Sequence, residues 1–306
     1  MKLAFLFSAQ GAQYAGMGKD LYENNETVKR RIDEADNALN YDLKKNMFED
    51  EGALASTRYV QTAIFTLSAA IRDALKEEGV ISEGSVGLSL GEYGALYDRG
   101  VFSFYDGLQI VEHRAFFMDQ AVKKQPGAMA AVRGTLDVIE PLVAAIDNLH
   151  IANYNLPNQY VISGTKEAVD HFTEQAKEKG IRRVTPLRTA GAFHSPFMSE
   201  ASEALRGYLR LVDLNAPLGD LYLNTTGKKY EGDDLKTHMV NQISHPVKFY
   251  PAIEAMIADG YDTFVELGVK NTLASMVKKI DKTVKTLHVE DYETLKTTIE
   301  ELKNNG

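Results

Sequence analysis

Short apolar runs alternate along this chain with longer stretches whose apolar residues recur every three or four positions, which predicts an α/β layered fold. Leu3-Phe7 reads as a first buried strand. Helical period follows from about 17 to 40 and over Thr62-Lys76, then Val86-Leu88 reads as a strand. Helices are expected after Ser89 and from about Phe104 to Val122, completing half of a wound sheet.

The rhythm then changes. Ala128-Val132, His150-Tyr154, Tyr160-Ser163 and Ile181-Leu187 read as strands, with helices over Leu136-Ile146 and Lys166-Lys179. That order, βαββαβ, is the ferredoxin-like arrangement. It predicts a small domain inserted in a larger one, with boundaries near Gln125-Pro126-Gly127 and Thr189-Ala190-Gly191. Beyond it come a helix over Met198-Arg210, a strand at Leu221-Asn224 and helices over Leu235-Ile243 and Pro251-Ala258. Strand Thr263-Leu267, helix Thr272-Ile280 and a charged amphipathic helix over Glu290-Asn304 follow.

Composition narrows the function. With 306 residues, 44% hydrophobic and 25% charged, the chain is an ordinary globular size and mix. No run approaches the roughly 18 apolar residues of a membrane span, and Leu3-Phe7 is too short for a signal-peptide core, so no membrane partner and a cytoplasmic location are expected. The absence of cysteine excludes disulfides, thiolate metal sites and a cysteine nucleophile. A net charge of −9 argues against nucleic acid as the main partner. There is no Walker A loop, no GxGxxG after a strand and no HExxH, so neither a metal nor a cofactor is expected.

The candidate chemistry centres on Gly87-Leu88-Ser89-Leu90-Gly91. A serine between a strand and a helix must turn sharply, and glycines two residues away on either side leave room for that turn. The helix after it aims unpaired N–H groups at any oxyanion that forms. An ordinary strand-to-helix turn would carry the same pattern. A serine nucleophile needs a base, and of seven histidines His194 stands where the chain re-enters the large domain, a place that borders a cleft. A turn residue bonded to backbone is the alternative there. Arg114 shares the apolar side of its helix with Ile110, Val111, Phe117, Met118 and Ala121. Buried and unpaired it would cost ~3–5 kcal/mol, so it needs an anion, from an internal carboxylate or from a substrate, unless it snorkels to the surface. Gln10-Gly11-Ala12-Gln13 follows the first strand, at the edge where α/β sheets bind ligands.

Together these elements resemble the malonyl-CoA:acyl carrier protein transacylase family of bacterial fatty-acid synthesis, which is related to polyketide synthase acyltransferase domains. Phe7 to Gly18 (FSAQGAQYAGMG) is similar to the family's FPGQGSQ…GMG opening, and Gly87 to Tyr93 (GLSLGEY) to its GHSLGEY. Val111 to Met118 holds an ExRxxxM element, followed by GAMAAV at 127–132. Ala152 to Gly164 resembles ANxNxPxQxVISG, Ala192 to Met198 (AFHSPFM) the histidine motif, 242–249 the QxxxPVxF element, and 263–268 reads TFVELG. Leu88, Ala115, Ser8-Ala9 and Val269-Lys270 depart from the family pattern, in which a histidine, a glycine, Pro-Gly and a GPG turn stand there.

The resemblance implies an α/β fold with a hydrolase-like large subdomain, residues 1–125 and 191–306, and a ferredoxin-like small subdomain, residues 126–190. It implies Ser89 as the acylated nucleophile, His194 as its base and the carbonyl oxygen of Gln242 as the group orienting the imidazole. The N–H groups of Gln10 and Leu90 would form the oxyanion hole, and Arg114, Phe193 and Asn155 would meet the substrate, with Arg114 on the malonyl carboxylate. Malonyl-CoA and acyl carrier protein are the implied partners of a monomer without cofactor. A carrier protein is acidic, so a basic dock is expected at Lys177, Lys179, Arg182 and Arg183 or at Lys278, Lys279, Lys282 and Lys285. A polyketide acyltransferase, a GxSxG serine hydrolase and a non-catalytic carrier-docking module are the other readings.

Overall fold

The computed structural model describes residues 1–189 and 191–304, so Ala190, at one expected boundary, lies outside it, as do the last two residues. Two sheets form. The first has the order β11-β10-β1-β2-β7-β8, from β1 (Leu3–Phe7), β2 (Gly84–Gly87), β7 (Asp220–Leu223), β8 (Lys228–Lys229), β10 (Thr263–Leu267) and β11 (Lys285–Val289). Its strands are parallel except β8, which runs antiparallel to β7. A parallel sheet is covered on both faces, and β1 shows how: Leu3, Phe5 and Phe7 enter one apolar core while Ala4 and Leu6 enter another. An unbroken apolar run is what such a strand requires.

The second sheet has the order β6-β3-β5-β4-β9, from β3 (Ala128–Arg133), β4 (Leu149–Leu156), β5 (Gln159–Gly164), β6 (Arg183–Pro186) and β9 (Val247–Lys248). The first four pair antiparallel, and helices Leu136–Ala144 and Lys166–Glu178 cover one face through Ile139, Val143, Val169 and Phe172. Met129, Ala152 and Val161 point the other way into the large core, so the alternation of each strand joins the two layers. β9 comes from the later part of the chain and runs parallel to β4, pairing Asn153 with Val247 and Tyr154 with Lys248. It tethers the small sheet to the helix that ends just before it.

One expectation is corrected, and elements without an assignment from sequence are added. The helix expected from 17 to 40 is two, Lys19–Asn24 and Glu26–Ala38, because Asn25 turns extended and its side chain accepts from the N–H groups of Thr27 and Val28. Residues 43–54, without assignment from sequence, hold two short helices capped by Asp42 and Asp50. β11 was also unassigned: as an edge strand it is only half-buried, so its residues Lys285, Thr286 and His288 give no apolar run. Among the described residues no helix is long and apolar enough to cross a membrane.

Candidate active site

β2 ends at Gly87, the helix Gly91–Asp98 begins four residues later, and Ser89 between them takes φ of 54°. A left-handed serine costs about 1–2 kcal/mol, so the surroundings must impose it. Both flanking glycines are sterically required. A Cβ on Gly87 would lie 1.9 Å from the carbonyl carbon of Gly91, and one on Gly91 would lie 1.9 Å from the carbonyl oxygen of Phe7. The end of β1 is thereby pressed against the first turn of the helix. Asn224, just after β7, clasps the turn: its Oδ1 accepts from Ser89 N at 2.7 Å and its Nδ2 donates to Gly87 O at 2.7 Å. The fully buried Glu92 carboxyl accepts from the Asn224 N–H, and burial raises its pKa to about 7.

Across 105 positions of sequence, His194 Nε2 stands 2.7 Å from Ser89 Oγ. His194 itself is left-handed, with φ of 56°, in the loop before the short turn Pro196–Met198. Its Nδ1 lies 2.8 Å from the carbonyl oxygen of Gln242. A carbonyl can only accept, so Nδ1 carries the hydrogen and the Nε2 lone pair faces the serine hydroxyl. The local sequence explains why that carbonyl is free. Gln242 is in the last turn of helix Leu235–Ser244, and the residue four places on is Pro246, which has no N–H to offer it. The negative end of that helix therefore stands where a triad would place a carboxylate. Burial, and then the charge of Arg114, lower the His194 pKa to about 4, so the resting imidazole is neutral. A cavity of about 480 Å³ lined by His150, Tyr154, Ser195 and His245 reaches this buried ring.

Arg114 is 1% exposed, on helix Phe104–Lys124. Its partners are neutral: Nη1 donates to Gln61 Oε1, and Nη2 to Gln242 Oε1 at 3.1 Å and Ser89 Oγ at 3.3 Å. The guanidinium stacks over Tyr93 at 5.2 Å, and its Nε has no partner among the described residues. Neither internal answer to its charge applies. No carboxylate pairs with it among the described residues, Glu112 from the same ExR element pairs with Arg58 instead, and the side chain does not reach the surface. A planar cation so placed, beside a serine hydroxyl, suits a carboxylate bound next to that hydroxyl.

Ser89, His194, Gln242 and Arg114 thus form one hydrogen-bonded network. Leu90 opens the helix, Gln10 lies in the bend after β1, and the N–H of neither donates within the described residues. Phe193 packs in the large core beside His194. Asn155 is buried on β4 with its Oδ1 unpartnered among the described residues, and no hydrogen bond joins either residue to the serine–histidine pair. Sequence reasoning missed Asn224, Gln61, the Glu92 carboxyl and the side chain of Gln242. Position at the carboxyl end of a strand was the available signal for Asn224, and membership of the GLSLGEY and QxxxPVxF elements for Glu92 and Gln242; Gln61 carried none.

The chain matches the acyl transferase domain family over residues 4–305. The malonyl CoA-acyl carrier protein transacylase of Bacillus subtilis (strain 168) is 40% identical over 312 residues, covering 100% of this chain and 98% of that protein. Among solved structures, the MCAT of Streptococcus pneumoniae superimposes with a TM-score of 0.94 at 38% identity, over 98% of this chain and 100% of its own. A malonyl-transacylase in complex with a type II PKS acyl-carrier protein does so with a TM-score of 0.94 at 29% identity, over 98% of this chain and 100% of its own. Agreement of this extent in sequence and in fold means that the chain belongs to the acyl transferase domain family and, within it, to the malonyl CoA-acyl carrier protein transacylases.

Proposed function

We infer that this enzyme moves a malonyl group from malonyl-CoA to the phosphopantetheine thiol of acyl carrier protein through a malonyl ester on Ser89. One observation carries the reading: a buried guanidinium with only neutral partners stands 3.3 Å from a hydroxyl that is itself 2.7 Å from an imidazole nitrogen. Ser89 Oγ attacks the thioester carbonyl while its proton passes to His194 Nε2. The N–H groups of Leu90 and Gln10 hold the resulting oxyanion. The C–S bond then breaks, and the imidazolium returns the proton to the departing coenzyme A thiolate. In the second half the carrier thiol gives its proton to His194, attacks the ester, and Ser89 regains the proton. The Gln242 carbonyl steadies the imidazolium in both halves. Arg114 grips the free carboxylate, with Phe193 and Asn155 shaping the acyl pocket.

We read the chain as a hydrolase-like large subdomain, 1–125 and 191–306, with a ferredoxin-like one, 126–190, inserted. The separate core of the second sheet and the strand order β6-β3-β5-β4 support this. It acts as a monomer, a reading supported by a site built from one chain. Of the two basic clusters, Lys177, Lys179, Arg182 and Arg183 is the better carrier dock, because all four are exposed and carry no ion pair among the described residues. In the other, Lys278 donates to Val284 O and Lys285 pairs with Glu301.

Five outcomes are expected. Intact mass spectrometry after mixing with malonyl-CoA shows one malonyl adduct, absent in Ser89→Ala and discharged by carrier protein; discharge by water at the same rate would instead make this a hydrolase. In Arg114→Ala, kcat/KM for malonyl-CoA falls about 100-fold more than for acetyl-CoA, and equal losses would refute the clamp. Labelling of Ser89 by an uncharged sulfonyl fluoride needs neutral His194, so with the pKa at about 4 the rate holds as pH drops through 6.5 and fades only well below it. Removing the cation in Arg114→Ala moves that midpoint upward, and an unmoved midpoint contradicts the electrostatic account. Reversing the charges at 177, 179, 182 and 183 raises KM for carrier protein and leaves that for malonyl-CoA unchanged; a carrier KM that does not move rules the dock out.

A further inference from the structure

The backbone carbonyl of Gln242 holds His194, but its side chain does something separate. The residue is 1% exposed, and its amide is shared between the other two members of the site: Oε1 accepts from Arg114 Nη2 at 3.1 Å, and Nε2 donates to the carbonyl oxygen of Ser89. These contacts tie the guanidinium to the strained turn through a neutral acceptor. We propose that the Gln242 side chain is a specificity-determining residue, a neutral stand-in that satisfies Arg114 Nη2 while the acyl pocket is empty and yields its place there to the carboxylate of the acyl group. The proposal rests on the reading of Arg114 as a carboxylate clamp and adds the neutral group that the carboxylate displaces from it.

Three observations support it. Nη2 divides its donors between Gln242 Oε1 and Ser89 Oγ, and the second acceptor is weakened once that oxygen becomes an ester oxygen. Nε, on the edge of the guanidinium adjoining Nη2, has no partner among the described residues, so a carboxylate seated on the Nε/Nη2 edge finds one donor free and displaces a neutral acceptor only at Nη2. A carboxylate adds opposite charge and a bidentate fit that the amide oxygen lacks, so the exchange runs toward the carboxylate and an uncharged acyl group cannot drive it. Charge on this side chain is therefore the critical variable. A glutamate there would pair permanently with Arg114 and close the clamp to substrate.

The test compares Gln242→Glu and Gln242→Met, both of which keep the backbone carbonyl on His194, in malonyl-CoA and acetyl-CoA kinetics with carrier protein. Gln242→Glu is expected to lower kcat/KM for malonyl-CoA about 30-fold more than for acetyl-CoA, chiefly through KM. In an Arg114→Ala background the same change should leave the malonyl-to-acetyl ratio where Arg114→Ala alone puts it. Gln242→Met, with no acceptor to displace, should hold or raise the ratio. Equal losses on both substrates in Gln242→Glu, a selective loss that persists without Arg114, or a fall in the ratio for Gln242→Met would each overturn the proposal. Failure of the underlying reading looks different: Arg114→Ala itself would then leave the ratio unchanged.

Discussion

The contact between Gly91 and the carbonyl oxygen of Phe7 is the constraint on which the site is built. It is so close that no side chain fits, and it joins the end of β1 to the first turn of the helix behind Ser89. The turn between them is then too tight for an extended or right-handed residue, and Ser89 is driven to positive φ. Asn224 reinforces this by holding the backbone on both sides of the serine, from Gly87 O to Ser89 N. The strain at one residue is thus offset by hydrogen bonds and by close backbone packing that the whole parallel sheet stabilises. The hydroxyl emerges at the carboxyl edge of that sheet, beside the amide groups of a helix start.

The electrostatics follow from burying two basic groups together with no carboxylate hydrogen-bonded to either among the described residues. Burial holds the imidazole neutral at rest, and Arg114, which does not give up its charge, adds to that. That suits a base. A carboxylate as third member would raise the imidazole and would also compete for the guanidinium, whereas a helix carbonyl orients Nδ1 without a full charge. The neutral partners of Arg114 have the same effect, satisfying donors without an ion pair, while the buried Glu92 carboxyl is felt only at longer range. One helix end, 242–246, serves both needs, because Pro246 frees the carbonyl and the same residue's amide meets the arginine.

Much of this was legible in the sequence. The alternation of short apolar runs and helical periods located most of the elements, and the GxSxG turn, the histidine at the re-entry point and an arginine on an apolar helix face each had a physical reason to be singled out. What escaped were elements without an apolar run, such as β11 and the two short helices before residue 55, and side chains whose role is a contact. Gln61 and Asn224 are unremarkable polar residues until a serine or a guanidinium is brought against them.

By itself, the sequence determined the layered α/β class, the tight turn at Ser89 and the need of Arg114 for an anion, because periodicity, glycine spacing and the cost of a buried charge are local properties. Tertiary structure alone decided that His194 reaches Ser89 across 105 positions, that the carbonyl of Gln242 meets its Nδ1, and that no carboxylate pairs with Arg114 among the described residues. Those outcomes depend on which surfaces the two sheets press together and on where β9 ties them, a matter of long-range packing that no local pattern encodes.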